Sequence, residues 1–597
     1  MSLPILKALY ICTRLFFCHR MKFPLVILLI VILTTETYSQ TAHQLLESVD
    51  CINKGFVSSN NQVNTPHIGF RLRNSPSDTT YIPYKISFSS LDSNSYSRVN
   101  FDIGSIATQN ISLSLLKPLN NSALITLSIF RASNPGWVAR SFVRDTKILI
   151  GYSQRVSNKL EVSVFAGVNS LDREQSGGVL DSLVYNLQAR GQTELNLEGN
   201  IWLTNAYNRK IDAFAESRID YSLLELKQFK LKPGLVLLGS YKKINYVDQL
   251  PDSAYYSHFE AEFVNEINDS LILNNFGMRP HVILELMPND SSTLYFDIGM
   301  NQSWFDLTNN GHESGPVNQS MTELTNLDMK RFKFIGKGEW YIAGYNQNDI
   351  RVSSRLNYSL ISTDSSVNVL SIEARQIYSS GRLARVFEDY RSKVKTTNHR
   401  LNREKYEGYS GVISARVGNV GSKAGCGYMR IGNFAYFDQY GQVNQKNIAI
   451  EVYSANLEIT YRNSFLVLKS IGRYQWTGRS KYYSLPEWTN INEGSIYWDM
   501  FRKKLRMNGG VQTKFFSEYF NRGYIPFYDV NYVQSYHRFD NYFQVDGVLQ
   551  TSIKSVTVGF VVYNLFYGVL NENPIIAPNM PSVPRYFSLR FDWKFKN

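Results

Sequence analysis

Residues 586–597 read YFSLRFDWKFKN, and they alternate apolar and polar side chains with hardly a break. Phe587, Leu589, Phe591, Trp593 and Phe595 take one parity; Ser588, Arg590, Asp592, Lys594 and Lys596 take the other. Successive side chains of a strand point to opposite faces, so this segment has one greasy face and one charged face. The pattern recurs along the chain. KLEVSVFAGV sets Leu160, Val162, Val164, Ala166 and Val168 on one face. TLYFDIGMN opposes Leu294, Phe296, Ile298 and Met300 to Tyr295, Asp297, Gly299 and Asn301. RFKFIGKGEWYI opposes Phe332, Phe334, Trp340 and Ile342 to Lys333, Lys337 and Glu339, and GVISARVG opposes Ile413, Ala415 and Val417 to Ser414 and Arg416. SVTVGFVVYN does the same with Val556, Val558, Phe560 and Val562. No long segment carries a helical period, so the chain reads as all-β.

The polar parity of these strands holds small and mixed groups, as a watery lumen tolerates, while the apolar parity suits lipid. Aromatics make up 14% of the chain and charged residues only 19%. The mean hydropathy of −0.25 excludes a bundle of membrane helices, which needs apolar runs of ~18 residues or more. Aromatic residues gather near segment ends, in NQSW, YQW and NLFY, where interfacial girdles sit. Long polar stretches at 305–330, 378–410, 475–495 and 568–585 read as loops between otherwise tightly joined strands. No repeat of blade length favours a propeller or sandwich array. The fold expected is a transmembrane antiparallel β-barrel of the outer-membrane type with about 18–22 strands, from roughly 25–30 residues per strand with its connection.

The N-terminus agrees with export. From Met21 the chain runs MKFPLVILLIVILTTETYSQ, a Lys, an apolar run Phe23–Leu33 and then small polar residues, as in a secretory signal. Thr37 and Ser39 stand at −3 and −1 of a cleavage before Gln40. Residues 1–39 are thus expected to be an upstream extension plus signal peptide, 40–80 a periplasmic segment and 81–597 the barrel. Cys51 and Cys426 remain beyond the signal, with no metal-type spacing, and whether they pair stays open. Losing Lys7, Arg14, Arg20, Lys22 and Glu36 with the leader lowers the formal +13 to +10. This dispersed charge behind a signal fits a biased pore or anionic headgroups better than nucleic acid.

Several segments carry a resemblance. SEYFNRGYIPFYDVNY (517–532), VTVGFVVYNLFYG (556–568) and PNMPSVPRYFSLRFDWKF (578–595) resemble the putative porin family of Bacteroidetes outer membranes. The last is the most specific: a Pro-Asn-Met-Pro loop, an Arg and a final strand ending in Trp-x-Phe. SNKLEVSVFAGVNSLDREQSGGVLDS (157–182) resembles the family's strand followed by a Gly-Gly loop, and SPSDTTYIPY (75–84) its Asp-Thr entry segment. The stretch from about 190 to 510 matches only in texture. Here Lys596 and Asn597 follow the terminal aromatic, Phe595, on which many such barrels end. The resemblance implies a porin-like barrel in a Gram-negative outer membrane and names no substrate.

No enzyme emerges. The eight His residues are scattered, and no GxSxG, HExxH or P-loop pattern appears. GYSGV reads Ser410 as a turn residue, and VNEINDS (264–270) as a solvated loop rather than a cation site. A TonB-dependent transporter needs a plug of ~100 residues, for which about 40 residues before Tyr81 leave no room. The expected function is passive diffusion of small hydrophilic solutes with a mild anion preference, without cofactors, metal or nucleic acid. A non-conducting barrel that scaffolds surface assembly or secretion is the alternative.

Expected lumen-facing residues are Lys333, Lys337, Glu339, Arg416, Arg590, Asp592 and Lys594; Phe587, Leu589, Phe591, Trp593 and Phe595 are expected to meet lipid. With the C-terminus on the periplasmic side, Trp593 and Phe595 belong to the periplasmic girdle, and the loop with Pro574, Pro578, Pro581 and Pro584 to the outer mouth. The basic segment 381–406, with eight Lys or Arg against three acids, reads as a solvated loop or strand extension, an anion-attracting vestibule or a lipopolysaccharide contact. Expected partners are outer-membrane lipids, lipopolysaccharide and the barrel-assembly machinery; whether the barrel is a monomer or a homo-oligomer stays open.

Overall fold

The computed structural model describes residues 96–596 apart from 181–200, 262–264, 363–367, 382–388, 479–481, 570–574 and scattered stretches of one or two residues. The leader, the 40–80 segment, Cys51, the 75–84 motif and His537 lie outside the described residues.

The first described strands are β1 (Tyr96–Gly104), β2 (Gln109–Asn120), β3 (Ala123–Asn134), β4 (Val143–Arg155), β5 (Leu160–Gln175) and β6 (Ala206–Tyr221). Then come β7 (Phe229–Asp248), β8 (Ile267–Asn289), β9 (Ser292–Asn309), β10 (Val317–Met329), β11 (Phe332–Gly344) and β12 (Ile350–Ser362). They continue through β13 (Asn368–Gly381), β14 (Glu404–Val417), β15 (Val420–Gly432), β16 (Ile450–Arg462) and β17 (Leu466–Thr477). The last five are β18 (Trp488–Met500), β19 (Leu505–Phe516), β20 (Tyr542–Ile553), β21 (Val556–Tyr563) and β22 (Tyr586–Lys596). Each pairs antiparallel with its chain neighbours, and β22 pairs with β1 from Tyr96↔Lys596 to Gly104↔Ser588. Two three-residue ladders, at Leu224–Leu226 and His312–Ser314, only lengthen connections. The result is a closed ring of 22 strands, at the upper end of the expected range. Closure leaves the sheet without a free edge, the condition for sheet in a solvent that offers no hydrogen bonds.

Connections are short at one end of the ring and mostly long at the other. At one end they occupy 121–122, 156–159, 222–228, 290–291, 330–331, 363–367, 418–419, 463–465, 501–504 and 554–555. Gly418, at φ +54, opens the tightest kind of hairpin turn there, which favours a residue without Cβ. At the other end lie 135–142, 176–205, 249–266, 382–403, 433–449, 478–487, 517–541 and 564–585, with shorter links at 105–108, 310–316 and 345–349. Both described chain ends lie at the short-turn end.

Three expected loops shrink, 378–410 to the connection 382–403. The stretch 305–330 is mostly strand, because β10 carries polar side chains on both faces and hides its period. In 475–495, only 478–487 connects. Ser410 stands in the middle of β14 rather than in a turn, and Gly408 and Gly411 on either side of it lie within the strand. Most of VNEINDS also departs from a solvated loop: β8 starts at Ile267, and Asp269 is fully buried.

The largest apolar core is made by the long connections. Leu203, Tyr255, Tyr256, Phe259, Tyr390, Val394, Ala435, Phe437, Ile525, Phe527, Tyr528 and Tyr532 pack into one cluster with Tyr246 and Ile267 of β7 and β8. Each fully buried large side chain contributes on the order of 1.5–3 kcal/mol. Connections that emerge around the ring therefore meet over its mouth.

Candidate functional site

The wall has a charged face and an apolar face. On β22, Phe587 and Leu589 are half exposed, Trp593 and Phe595 are exposed, and Phe591 is half-buried, all on one face. Val99, Phe101 and Ile103 of β1 and Val556, Val558, Phe560 and Val562 of β21 continue that face in register. Arg590, Asp592 and Lys594 share the other. Arg590 Nε bonds Asp102 at 3.0 Å, while Asp592 takes Arg98 at 2.8 Å and Lys594 at 3.7 Å. The seam between first and last strands is thus held by crossed ion pairs.

Lys333, Lys337 and Glu339 alternate along the charged face of β11, and Arg416 lies at the short-turn end of β14. Lys333 meets Asp328 at 2.8 Å and Glu339 meets Arg351 at 3.5 Å. Register carries the same face onward through Arg355, Arg375, Lys423, Lys469 and Arg473, against Glu373 and Glu458. Arg355 and Arg375 stand directly opposite each other. Glu373 lies between them, 3.1 Å from Arg355 and bonded to Arg375, so two like charges are held by one carboxylate. Cations outnumber acids over this whole sector.

Across β6–β10 the charged face is a tight network that single sequence positions do not reveal. Asp220 on β6 reaches His281 on β8 at 2.9 Å across Gly234 of β7, where a Cβ would lie 2.6 Å from the imidazole. Arg279 on β8 reaches Thr322 on β10 at 2.7 Å across Gly299 of β9, where a Cβ would lie 2.6 Å from its Nε. Asp297 accepts from Arg279 at 2.6 Å and lies 3.7 Å from Arg218, which bonds Asp220 at 2.7 Å. The legible signal was the lone glycine inside a strand, which marks close approach.

The apolar face carries aromatic belts. Near the long-loop end, Tyr409, Tyr428, Tyr453 and Trp476 follow one another with ring centroids 6.4, 5.1 and 5.5 Å apart. Trp498, Trp593 and Phe595 lie toward the short-turn end.

The cover over the mouth is stitched by polar contacts. Lys395, from the basic 381–406 segment, donates to Phe259 O at 2.9 Å and Tyr440 O at 3.0 Å and meets Glu260 at 3.3 Å. Tyr528 Oη donates to Lys395 O at 2.7 Å. Part of that segment is packed into the cover, with Tyr390 and Val394 buried, and 404–406 extend the barrel as the start of β14. Asp269 accepts from Ser392 Oγ and from Lys393 N.

Asp529 ties the cover to the charged face, 3.5 Å from Arg173 of β5 and 3.7 Å from Lys210 of β6. Burial works against its carboxylate, yet Lys210, Arg173 and the Tyr524 hydroxyl hold its pKa below the usual range. Burial pushes the hydroxyls of Tyr390 and Tyr528 up, so both stay neutral donors. Two distant motifs also meet here. Val179 N donates to Asn579 O at 2.9 Å, and Gly178, at φ +94, would set a Cβ 2.7 Å from Asn579 Cβ. The Gly-Gly stretch after β5 and the Pro-Asn-Met-Pro loop before β22 are thus one contact.

Among the described residues, no group of three or more His, Cys, Asp or Glu is placed to hold a metal, and no helix is long and apolar enough to cross a membrane.

A closed ring of 22 antiparallel strands with short turns at one end, long connections at the other and belts around an apolar face defines an outer-membrane β-barrel of the transport class. The chain belongs to the putative porin family, whose model matches residues 182–597. Such porin and transporter barrels are generally non-enzymatic. No curated protein matches by sequence. Among solved structures, the copper transporter OprC is similar at 11% identity and a TM-score of 0.57, covering 84% of this chain and 80% of that one. The FrpB iron transporter of Neisseria meningitidis is similar at 9% identity and 0.57, covering 85% and 83%. The ferric yersiniabactin uptake receptor FyuA of Yersinia pestis is similar at 11% identity and 0.54, covering 84% and 80%. At such identities the likeness is one of fold.

Proposed function

We propose that the protein is a passive diffusion channel for small hydrophilic solutes in the outer membrane of a Gram-negative bacterium, of the Bacteroidetes type that its closing motif resembles. The charged face lines the lumen, the apolar face meets lipid, and the short-turn end faces the periplasm. The observation that carries this reading is the charged face of a closed 22-strand wall, a ring too wide for side chains to fill. The cover then narrows the outer mouth, and solutes pass at its margins or when it loosens. The cationic excess on β11–β17 supports a mild preference for anions.

Planar-bilayer recordings with sized solutes test the function. Discrete channels, with a reversal potential in a salt gradient showing anion preference, are expected. Cation preference would remove the charge argument. A folded, inserted sample without any conductance would overturn the channel and favour a second reading, a barrel that scaffolds surface partners on its packed loops. That reading is favoured by the single core which five connections build over the mouth.

A further inference from the structure

The apolar face ends at the long-loop side of β3–β7 in a cluster of cations. Arg144 of β4, Asp172 of β5 and Arg209 of β6 occupy one cross-strand row. Asp172 lies 3.0 Å from Arg144 and 2.6 Å from Arg209. Arg131 of β3 and Lys243 of β7 flank the trio, level with Thr146 and Ile211, two residues nearer the apolar band. The next row down is Ile129, Ile148, Val168, Ala213 and Tyr241, which is membrane-facing in character. At about 4.8 Å per strand the cluster spans roughly 19 Å.

Charge here is unbalanced. Arg140 stands beside Glu174 at 3.8 Å, so among the described residues five cations face two carboxylates, and Asp306 lies two strands beyond Lys243. Arg131 and Lys243 have no ion-pair partner among the described residues. The corresponding border of β14–β16 is different: Glu407, Arg430 and Glu451 share one row, acid on either side of base. Asp172 engages two N–H groups of Arg144 and one of Arg209, and each guanidinium has five. The carboxylate therefore holds two forks in place with donors to spare, and both side chains stay well exposed.

We propose that this sector binds the phosphorylated glycolipid of the outer leaflet, with its phosphates among Arg131, Arg144, Arg209 and Lys243 and its acyl chains on the apolar row beneath. The inference rests on the proposed outward orientation of the long-loop end and the lipid contact of the apolar face, but not on conduction. A phosphate beside several arginines at the edge of a hydrocarbon layer gains charge-assisted bonds that water screens little.

Native mass spectrometry of the detergent-solubilised full chain tests it. The probes are bisphosphorylated lipid A, its dephosphorylated form, phosphatidylglycerol and phosphatidylethanolamine. Bisphosphorylated lipid A should bind at least about tenfold tighter than the other three. Arg131→Gln with Lys243→Gln, which breaks no ion pair, should lower that affinity several-fold. Adding Arg144→Gln and Arg209→Gln should abolish the preference, and Arg430→Gln on the far sector should leave it unchanged. Equal binding of the dephosphorylated form or of phosphatidylglycerol, or unchanged binding by the double variant, would overturn the proposal. A protein that binds selectively yet conducts nothing would defeat only the channel.

Discussion

Lys395→Met should open the mouth. The ammonium makes two charge-assisted bonds, to Phe259 O and Tyr440 O, and an ion pair with the exposed Glu260. Bonds of the first kind are each worth about 1.5–3 kcal/mol. The exposed pair adds less than about 1 kcal/mol. Methionine keeps most of the buried stem, so the loss is chiefly polar, about 3 kcal/mol against the closed cover. At about 1.4 kcal/mol per decade, the opening equilibrium moves by roughly a hundredfold. Tyr528→Phe, which removes the single 2.7 Å bond to Lys395 O, should move it by about fivefold, near 1 kcal/mol. Two readouts are needed. Hydrogen exchange should lose protection in 389–402 and 433–449 while the barrel ladders keep theirs, and bilayer recordings should show more frequent or larger openings in the same order. Unchanged protection in both variants would refute the assignment of Lys395 as the stitch between connections. Lost protection with unchanged conductance would show that the cover does not limit flow.

Two further outcomes follow from the same geometry. Phe591→Arg should assemble less well than Phe591→Leu, by ~2–4 kcal/mol if the residue sits near the membrane midplane, measured as the folded fraction by heat-modifiable mobility; equal assembly would refute the lipid facing of that parity. Because the Asp529 pKa is depressed, its tether to Arg173 and Lys210 is complete above the ordinary carboxylate value of about 3.9 and is lost as pH falls through the lower folded value. Exchange protection of 517–541 should therefore be flat from pH 8 to 5 and fall only below about 4; in Asp529→Asn it should be low throughout, and a transition near neutral pH would discount the tether.

Much of the wall was legible, because a strand between two solvents writes its register into the chain. β5, β9, β11, β21 and β22 alternate so cleanly that their faces can be named residue by residue. β10 could not be read this way: Gln319, Glu323 and Thr325 share the parity of Met321 and Leu327, which erases the period. The mouth was least legible. Connections 176–205, 249–266, 433–449 and 517–541 bury aromatics against one another, and such a core has no period of its own. Lys395 looked like one basic residue among eight, since what distinguishes it is two carbonyls more than forty residues away in either direction. The Gly-Gly and Pro-Asn-Met-Pro motifs were visible as text, and only the fold shows that they touch.

The seam between β1 and β22 bears on how the chain closes into a ring. Every other strand finds both neighbours close by in sequence, but these two meet only after some 490 residues have been laid down between them. Their charges make the meeting self-checking. With Arg98 on Asp592 and Asp102 on Arg590, a slip of two residues toward the C-terminus would set Asp102 opposite Asp592, and a slip of one would turn phenylalanines onto the charged face. The last strand thus works as a keyed clasp, whose charges favour one position of the closing ladder over its neighbours.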